Sequence, residues 1–422
     1  MTTSPRPRVL FVGRGAPWKG GAGYLVRQAM FLEAWTSIAD VTAAMFDLCP
    51  DDVEAGVLDA GCERVVALPR PKRRRESRWA MLRNDFVRST PRTLRGYDTE
   101  AVRVVIDTLK PDGYDAVFVY RIDSAAWAGL LGRPGLLLDI DDPEHTRTAR
   151  RIETLGETPD GRSRRDLEKL KRFEMAASAG AKVSFVCQPI DRARFDEPKP
   201  QVVPNAVPTP EPCPAYAPDP HSLLFVGNLA GGFKNPNVDG LLWFVEHVFP
   251  LVRAELPEAR LRVGGNMDDA LEAQLDATDG VDRLGFVDDM PETVRRAAVN
   301  LAPIRFGTGT RIKVLDALAQ GGAVVGTTLG CEGIDLVDGE HVRLADTPPG
   351  FVRACVELLG DRAWAARLGR NGHALIRQRY STAAVVPRLA KQLAGWAGIE
   401  FRVNPQVPGA GTDTPAEMAD VG

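Results

Sequence analysis

Two spacings of apolar residues alternate along the chain. Short continuous apolar runs that end in glycine or a polar cluster read as buried strands, and runs with apolar residues three and four apart read as helices. Arg8-Val9-Leu10-Phe11-Val12-Gly13 is the first such strand and runs straight into a glycine-rich turn. Leu25, Ala29, Phe31, Leu32 and Trp35 then recur at helical spacing. The spacing predicts a helix over 24–35, and further strands are expected at 41–46, 116–120, 136–140 and 183–186. Strands separated in this way by helical segments imply a parallel sheet covered on both faces.

From 196 to 220 the pattern stops. The stretch DEPKPQVVPNAVPTPEPCPAYAPDP is dense in proline, which fits neither a helix interior nor a central strand. An interdomain linker is therefore placed at 201–220. Alternation resumes at Ser222-Leu-Leu-Phe-Val-Gly227, with a helix expected over 241–249 and strands at 260–264, 283–286 and 299–303. A helix over 312–319 and a strand at 323–327 follow, and helices over 351–358, 364–379 and 382–396 close the pattern. Residues 403–422, rich in Pro, Gly, Thr and Ala, are expected to be disordered. The fold class is α/β: two Rossmann-like, doubly wound domains, 1–200 and 221–380, joined by a hinge.

A length of 422 residues suits two such domains, and 44% hydrophobic with 26% charged residues is ordinary for a globular enzyme. The longest apolar runs fall far short of the roughly 20 residues that a membrane-spanning helix needs. The opening MTTSPRPRVLFVG lacks the apolar stretch of a signal peptide, so a cytoplasmic location is expected. Cys49, Cys62, Cys187, Cys213, Cys331 and Cys355 show no metal-ligand spacing, and no metal is expected. Charge is uneven: residues 1–195 hold 32 Lys and Arg against 27 Asp and Glu, and the remainder holds 21 against 29. Two basic stretches, 70–75 with Arg78 and 147–172, offer peripheral contact with an anionic membrane or with a charged acceptor. Because acidic residues are interleaved, the alternative of a solvated helix face and a mobile loop is favoured over it. No nucleic-acid partner is expected.

Chemistry concentrates in Pro303-Ile-Arg-Phe-Gly-Thr-Gly-Thr-Arg-Ile-Lys-Val-Leu-Asp316. Gly307 and Gly309 permit a tight loop after a strand, and the helix that follows presents unpaired N–H groups to it, a ready anion site. Arg311 and Lys313 add positive charge for a diphosphate, with Thr308 and Thr310 beside them. Asp316, three residues after Lys313, offers a carboxylate to ribose hydroxyls. The alternative is an ordinary turn with Lys313 and Asp316 as a surface pair.

The run from Gly307 to Val325, followed by Gly330-Cys-Glu-Gly333, resembles the donor-site signature of retaining GT-B glycosyltransferases of the group 1, or GT4-like, family. Phe225-Val-Gly-Asn-Leu, Lys234, Asn237, Trp243-Phe244, Val263-Gly264 and Gly285-Phe-Val-Asp288 extend the resemblance across 222–381. It implies transfer of a sugar from a nucleotide-sugar donor, a co-substrate with no other cofactor, to a glycan, glycolipid or small-molecule hydroxyl, with retention and without a metal. It also implies that a helix over 381–402 crosses back onto the first domain. Lys234 falls where the family neutralises the donor diphosphate, and Asn228 replaces an arginine common six residues earlier. Arg311 is expected to supply the missing cation. Two glutamates separated by seven residues are common in the family, and here those positions are Thr308 and Asp316. Phe286 and Val287 fall at the base-binding strand end, and Glu332 lies within the donor signature.

In the first half, Gly20-Gly21-Ala22-Gly23 resembles the family's glycine loop, and Gly21 and Gly23 let backbone approach a phosphate or the sugar. Asp139-Ile-Asp-Asp-Pro-Glu144 lies at the carboxyl end of a strand, where doubly wound sheets place their sites. Asp141 or Asp123 is a candidate to take the acceptor proton or to steady positive charge on the sugar. The alternative for Asp142 is a helix N-cap, with Pro143 at the first helical position. Adjacent carboxylates also raise a DxD metal site, which the two-Rossmann organisation argues against. A sugar-nucleotide epimerase of the same fold and a noncatalytic sugar-nucleotide-binding protein remain as other classes. A dehydrogenase is disfavoured, since no GxGxxG with a later ribose carboxylate occurs in the first unit.

Overall fold

The computed structural model describes residues 5–21, 23–73 and 90–402. The first seven-stranded sheet comprises β1 (Arg8–Arg14), β2 (Asp40–Phe46), β3 (Arg64–Leu68), β6 (Ala116–Tyr120), β7 (Leu136–Asp141), β8 (Val183–Val186) and β9 (Gln201–Val202). Its order is β3-β2-β1-β6-β7-β8-β9, and every neighbouring pair is parallel. A separate antiparallel pair, β4 (Lys72–Arg73) and β5 (Tyr97–Asp98), lies outside it. The second sheet is built from β10 (Ser222–Val226), β11 (Arg260–Gly264), β12 (Val281–Gly285), β13 (Val299–Ala302), β14 (Val324–Gly326) and β15 (Arg343–Leu344), in the order β12-β11-β10-β13-β14-β15. In both, the strand order reverses beside the first strand. The crevice outside the carboxyl ends at that point is where such sheets bind ligands.

Central strands carry apolar residues on both faces because helices cover both. From β1, Val9 and Phe11 pack with the helix Gly23–Ile38, while Leu10 and Val12 pack with Glu100–Leu109 and Ile122–Ala128. The final helix, Thr382–Ala397, joins the first of these layers. Val385, Val386, Leu389, Ala390, Leu393 and Ala394 are buried there at helical spacing, and the Trp396 ring lies 5.1 Å from that of Phe185. The last described helix thus packs on the domain that holds β1.

Several elements differ from the sequence expectation. The linker begins inside the first domain: Gln201–Val202 forms an edge strand, and Val203, Ala206 and Val207 are buried. Edge placement accommodates the flanking prolines. The two interdomain crossings run side by side, since Val207 N–H donates to Tyr380 O (2.9 Å) and Thr382 N–H donates to Val207 O (3.0 Å). The helix expected at 241 starts at Pro236, because Asn235 caps it by accepting from the Asn237 N–H, and it ends at His247. A second helix, Phe249–Glu255, begins where Pro250 cannot continue the first. The strand expected at 283–286 is Val281–Gly285. The tail 403–422 and residues Arg74, Arg75 and Arg78 of the first basic stretch lie outside the described residues.

One buried ion pair joins these parts. Arg27, fully buried, donates to both carboxylate oxygens of Asp139 at 2.7 Å, and its Nη1 reaches Val203 O (2.9 Å) and Asn205 Oδ1 (2.8 Å). Removing one partner of such a pair leaves an uncompensated buried charge. Arg27→Ala is expected to destabilise the first domain by about 3–5 kcal/mol in urea denaturation, with loss of amide hydrogen-exchange protection in β1 and β7.

Candidate functional site

The carboxyl ends of the two sheets face each other across a cleft, and glycines let its walls meet. A Cβ on Gly23, at the start of the first helix, would lie 3.0 Å from Ile312 Cγ1 at the start of the helix Ile312–Ala319. A Cβ on Gly309 would lie 3.2 Å from Asp142 Cβ and 3.6 Å from Cys187 Sγ. Gly307 and Gly309 have φ of +127° and +77°, the left-handed region that side chains avoid, so the loop between β13 and the helix depends on them.

On the second-domain wall, the helix Ile312–Ala319 has no side chain capping its N-terminus. Arg311 immediately precedes it; its Nη1 donates to Thr308 O (2.8 Å), and its buried Nε finds no acceptor. Burial lowers the Arg311 pKa, against the pull of Asp142 and Glu332. Lys313 lies 4.0 Å above the Phe225 ring, and its Nζ donates to Asn237 Oδ1 (2.9 Å). Burial, aided by Arg311, pushes its pKa down to about 7. It therefore does not pair with Asp316. That carboxyl makes no hydrogen bond or ion pair among the described residues, and burial pushes it up to about 7. Thr310 is buried with its hydroxyl unbonded.

Other expected donor residues lie on the rim. Lys234 ends the short Gly232–Lys234 turn, exposed and without a partner among the described residues. Asn228 is exposed, its carbonyl held by the Asn235 and Asn237 side-chain amides at 2.8 and 3.1 Å. Phe286 is 71% exposed, so its ring is free to face a ligand, whereas Val287 packs against Gly264. Gly21, with φ +105°, is exposed beside the Gly23 contact.

The first-domain wall is acidic and basic at once. Asp139 is committed to Arg27. Asp141, at φ +65°, accepts from the Tyr120 hydroxyl (2.8 Å) and lies 3.3 Å from Arg27 Nε. Burial pushes its carboxyl up to about 7, with the neighbouring Asp142 and Asp139 adding to the shift against Arg27. Asp142 moves the other way: although burial opposes it, Arg121, Arg147, the Thr308 hydroxyl and Arg311 hold its carboxyl below the ordinary range. Asp142 is not a helix N-cap. The helix Glu144–Thr154 starts one residue later than expected, and the Glu174 carboxylate takes its first amides, Glu144 N (2.9 Å) and His145 N (3.2 Å). Asp142 instead accepts from Thr308 Oγ1 across the cleft (2.9 Å) and lies 3.5 Å from Arg121 Nη1. Asp123 is turned to its own domain, paired with Arg14 (2.9 Å) and accepting from Ser124 N (2.9 Å).

Arg150 completes the bridge. It holds Glu332 through both oxygens, at 2.7 and 3.0 Å, and donates to Gly307 O (2.9 Å). Thr154 Oγ1 donates to Arg305 O (3.2 Å), and Gln188 Nε2 lies 3.4 Å from Glu332 Oε2. Neither Arg150 nor Gln188 stands out in the sequence: Arg150 is one of nine basic residues between 147 and 172, and nothing there distinguishes a cleft-facing arginine from a solvated one. Of those nine, Arg150 reaches across the cleft, whereas Arg147 pairs with Glu144 on its own helix. The structure brings together Gly23, Gly307, Thr308, Gly309, Arg311, Glu332 and Asp142. It keeps Asp123 apart and leaves Lys234 and Phe286 at the edge.

Residues 220–361 match the sequence family described as Glycosyl transferases group 1. A protein of Klebsiella pneumoniae, described as an uncharacterized 44.6 kDa protein in the cps region, is 24% identical over 179 residues, 40% of this chain. The chain spans 45% of the length of that relative. Among solved structures, sucrose-phosphate synthase from Thermosynechococcus elongatus is similar with a TM-score of 0.66 at 15% identity, covering 92% of this chain and 99% of its own. Anabaena HepE in complex with UDP-glucose gives 0.62 at 12%, covering 92% and 100%. WaaG, a glycosyltransferase involved in lipopolysaccharide biosynthesis, gives 0.59 at 14%, again over 92% and 100%. These likenesses extend over both domains and show a GT-B fold, within which residues 220–361 of the second domain match the group 1 glycosyltransferase family.

Proposed function

We propose that this protein transfers a sugar from a nucleoside diphosphate sugar to an acceptor hydroxyl, with retention, and without a metal. The observation that carries this reading is the uncapped helix Ile312–Ala319 with two half-buried cations at its start, Arg311 with a buried, unsatisfied Nε and Lys313 with a depressed pKa. Such a cradle suits an anion that arrives and departs. The family match over 220–361 and the UDP-sugar bound in one structural neighbour support the same assignment.

In this reading Arg311, Lys313 and the helix amides receive the diphosphate, and Lys234 swings in from the rim. As the bond to the sugar breaks, negative charge grows on the departing diphosphate, and donors fixed in place stabilise it most. Asp316, on the same helix and unpartnered among the described residues, receives ribose hydroxyls, and the exposed Phe286 lies beside the base. Glycines 21 and 23 bring the first domain against the sugar. Water is kept out by the contacts of Gly23, Gly309 and Arg150, favouring transfer over hydrolysis. The acceptor, a glycan, glycolipid or small-molecule hydroxyl, enters from the first domain.

Thermal-shift screening of nucleoside diphosphates and their sugars is expected to raise the melting temperature for one base, by mass action. No response to any would contradict the assignment. Arg311→Ala is expected to lower kcat about 10²–10³-fold on the sugar so identified, and an unchanged kcat and KM would remove Arg311 from the proposed role. Lys313 provides a titration signature. At pH 8 its amine is mostly neutral, and a bound diphosphate raises its pKa, so binding takes up a proton. Calorimetry in buffers of different ionisation enthalpy is expected to show uptake of up to about one proton at pH 8 and much less at pH 6. Lys313→Met is expected to abolish that difference.

A further inference from the structure

We propose that Asp142 is the carboxylate that faces the transferring sugar, delivered by the first domain and seated on Thr308 of the second. The inference rests on the glycosyl-transfer reading above. Two observations single out Asp142 among the acidic residues of that wall. Asp139 and Asp141 are bound by Arg27 and Tyr120 of their own domain, whereas Asp142 Oδ2 makes its hydrogen bond across the cleft, to Thr308 Oγ1 at 2.9 Å. Its seat is on the glycine loop that leads into the anion cradle, because Thr308 O also holds Arg311 Nη1 at 2.8 Å. Arg121 Nη1 lies 3.5 Å from the other oxygen, and 18% of the Asp142 side chain remains exposed.

This layout places opposite charges on either side of a sugar whose diphosphate lies in the cradle. The bond between the anomeric carbon and the diphosphate oxygen breaks, and its electron pair leaves with the diphosphate. The acceptor oxygen forms the new bond to that carbon, and its proton passes to the departing diphosphate. Between these events the ring carries positive charge, and Asp142 opposes it while exchanging no proton. The carboxylate reaches this place only when the domains are closed, because Thr308 and Asp142 belong to different domains. Chemistry is thereby tied to closure, and an open enzyme holding its donor lacks the charge needed to release the sugar.

The test moves the carboxylate across the cleft, in the full chain, with the nucleotide sugar that the wild type consumes and the matching nucleoside diphosphate as the binding probe. Asp142→Asn is expected to lower kcat about 100-fold while the nucleoside diphosphate dissociation constant stays within about threefold. Thr308→Glu alone puts two carboxylates together and is expected to lower kcat as well. In the double variant the carboxylate introduced at position 308 carries the charge and the amide introduced at position 142 donates to it, so kcat is expected to recover at least about tenfold over Asp142→Asn. Thr308→Ala, which removes only the seat, is expected to lower kcat about tenfold with unchanged nucleotide binding, and serves if Asp142→Asn does not fold.

A kcat for Asp142→Asn within about threefold of wild type overturns the proposal, as does a double variant no better than Asp142→Asn. Parallel loss of nucleotide binding in Asp142→Asn also overturns it, by reassigning Asp142 to a structural role. Should Asp142→Asn not fold, an unchanged kcat in Thr308→Ala overturns it. A wild-type chain that releases no nucleoside diphosphate from any nucleotide sugar removes the glycosyl-transfer reading itself, and an active wild type with an unaffected Asp142→Asn removes only this proposal.

Discussion

The Arg27–Asp139 pair is the constraint on which the cleft depends. A guanidinium with no exposed surface would be prohibitive to bury alone, and here it is satisfied by two carboxylate oxygens, a backbone carbonyl and an asparagine. Those partners belong to three separate pieces of chain. The arginine sits on the first helix, whose N-terminus is the glycine turn; the aspartate is near the end of β7, two residues before Asp141; and Val203 and Asn205 begin the crossing to the second domain. Once the pair has formed, the glycine turn, the acidic strand end and the hinge have fixed positions relative to one another. The catalytic-looking aspartates therefore divide their work. Asp139 is structural because Arg27 claims it, and Asp142 is left available.

The cleft faces differ in how their charges are satisfied, and that difference has chemical meaning. On the first-domain side nearly every charged group is matched. On the second-domain side the charges are left incomplete: Arg311 keeps an unsatisfied Nε, and among the described residues Lys313 has only an amide and an aromatic face and Asp316 has no polar partner. A fold gains nothing in stability from half-buried, incompletely matched charges, since each costs desolvation without full return. Their incompleteness is resolved if a ligand bearing phosphates and hydroxyls supplies the missing partners. The same logic explains why the pKa values of Lys313 and Asp316 both drift toward neutrality.

Closure is held by contacts of a different kind. Arg150 clasps Glu332 and the Gly307 carbonyl, Thr154 reaches Arg305 O, and Thr308 meets Asp142. All are polar and partly open to water, so each is worth little alone and can be exchanged. The two parallel crossings at Val207 and Ser381 supply the pivot. Fixed domains joined by exchangeable contacts suit an enzyme that must admit a donor, exclude water and release a product.

By itself the sequence determined the two doubly wound sheets, the loop-and-helix from Gly307 to Asp316 and the family of the second domain. Each of these is written locally, in strand runs, glycines and helical spacing. The helix start at Pro236 escaped the apolar pattern, because its first turn is set by the Asn235 cap and proline, and Val238 is the one apolar core residue in it. Edge strand β9 escaped it because two residues carry no periodicity. What only the tertiary structure decided were the pairings across the cleft. Asp142, for which a helix cap was the alternative to a place in the site, gave up the cap to Glu174, thirty residues on from Glu144 in sequence, and turned to Thr308, 166 residues away. Arg150 found Glu332 over 182 residues. No local pattern encodes which of nine basic side chains or four acidic ones will face the other domain, because that choice is made by how two folded units pack.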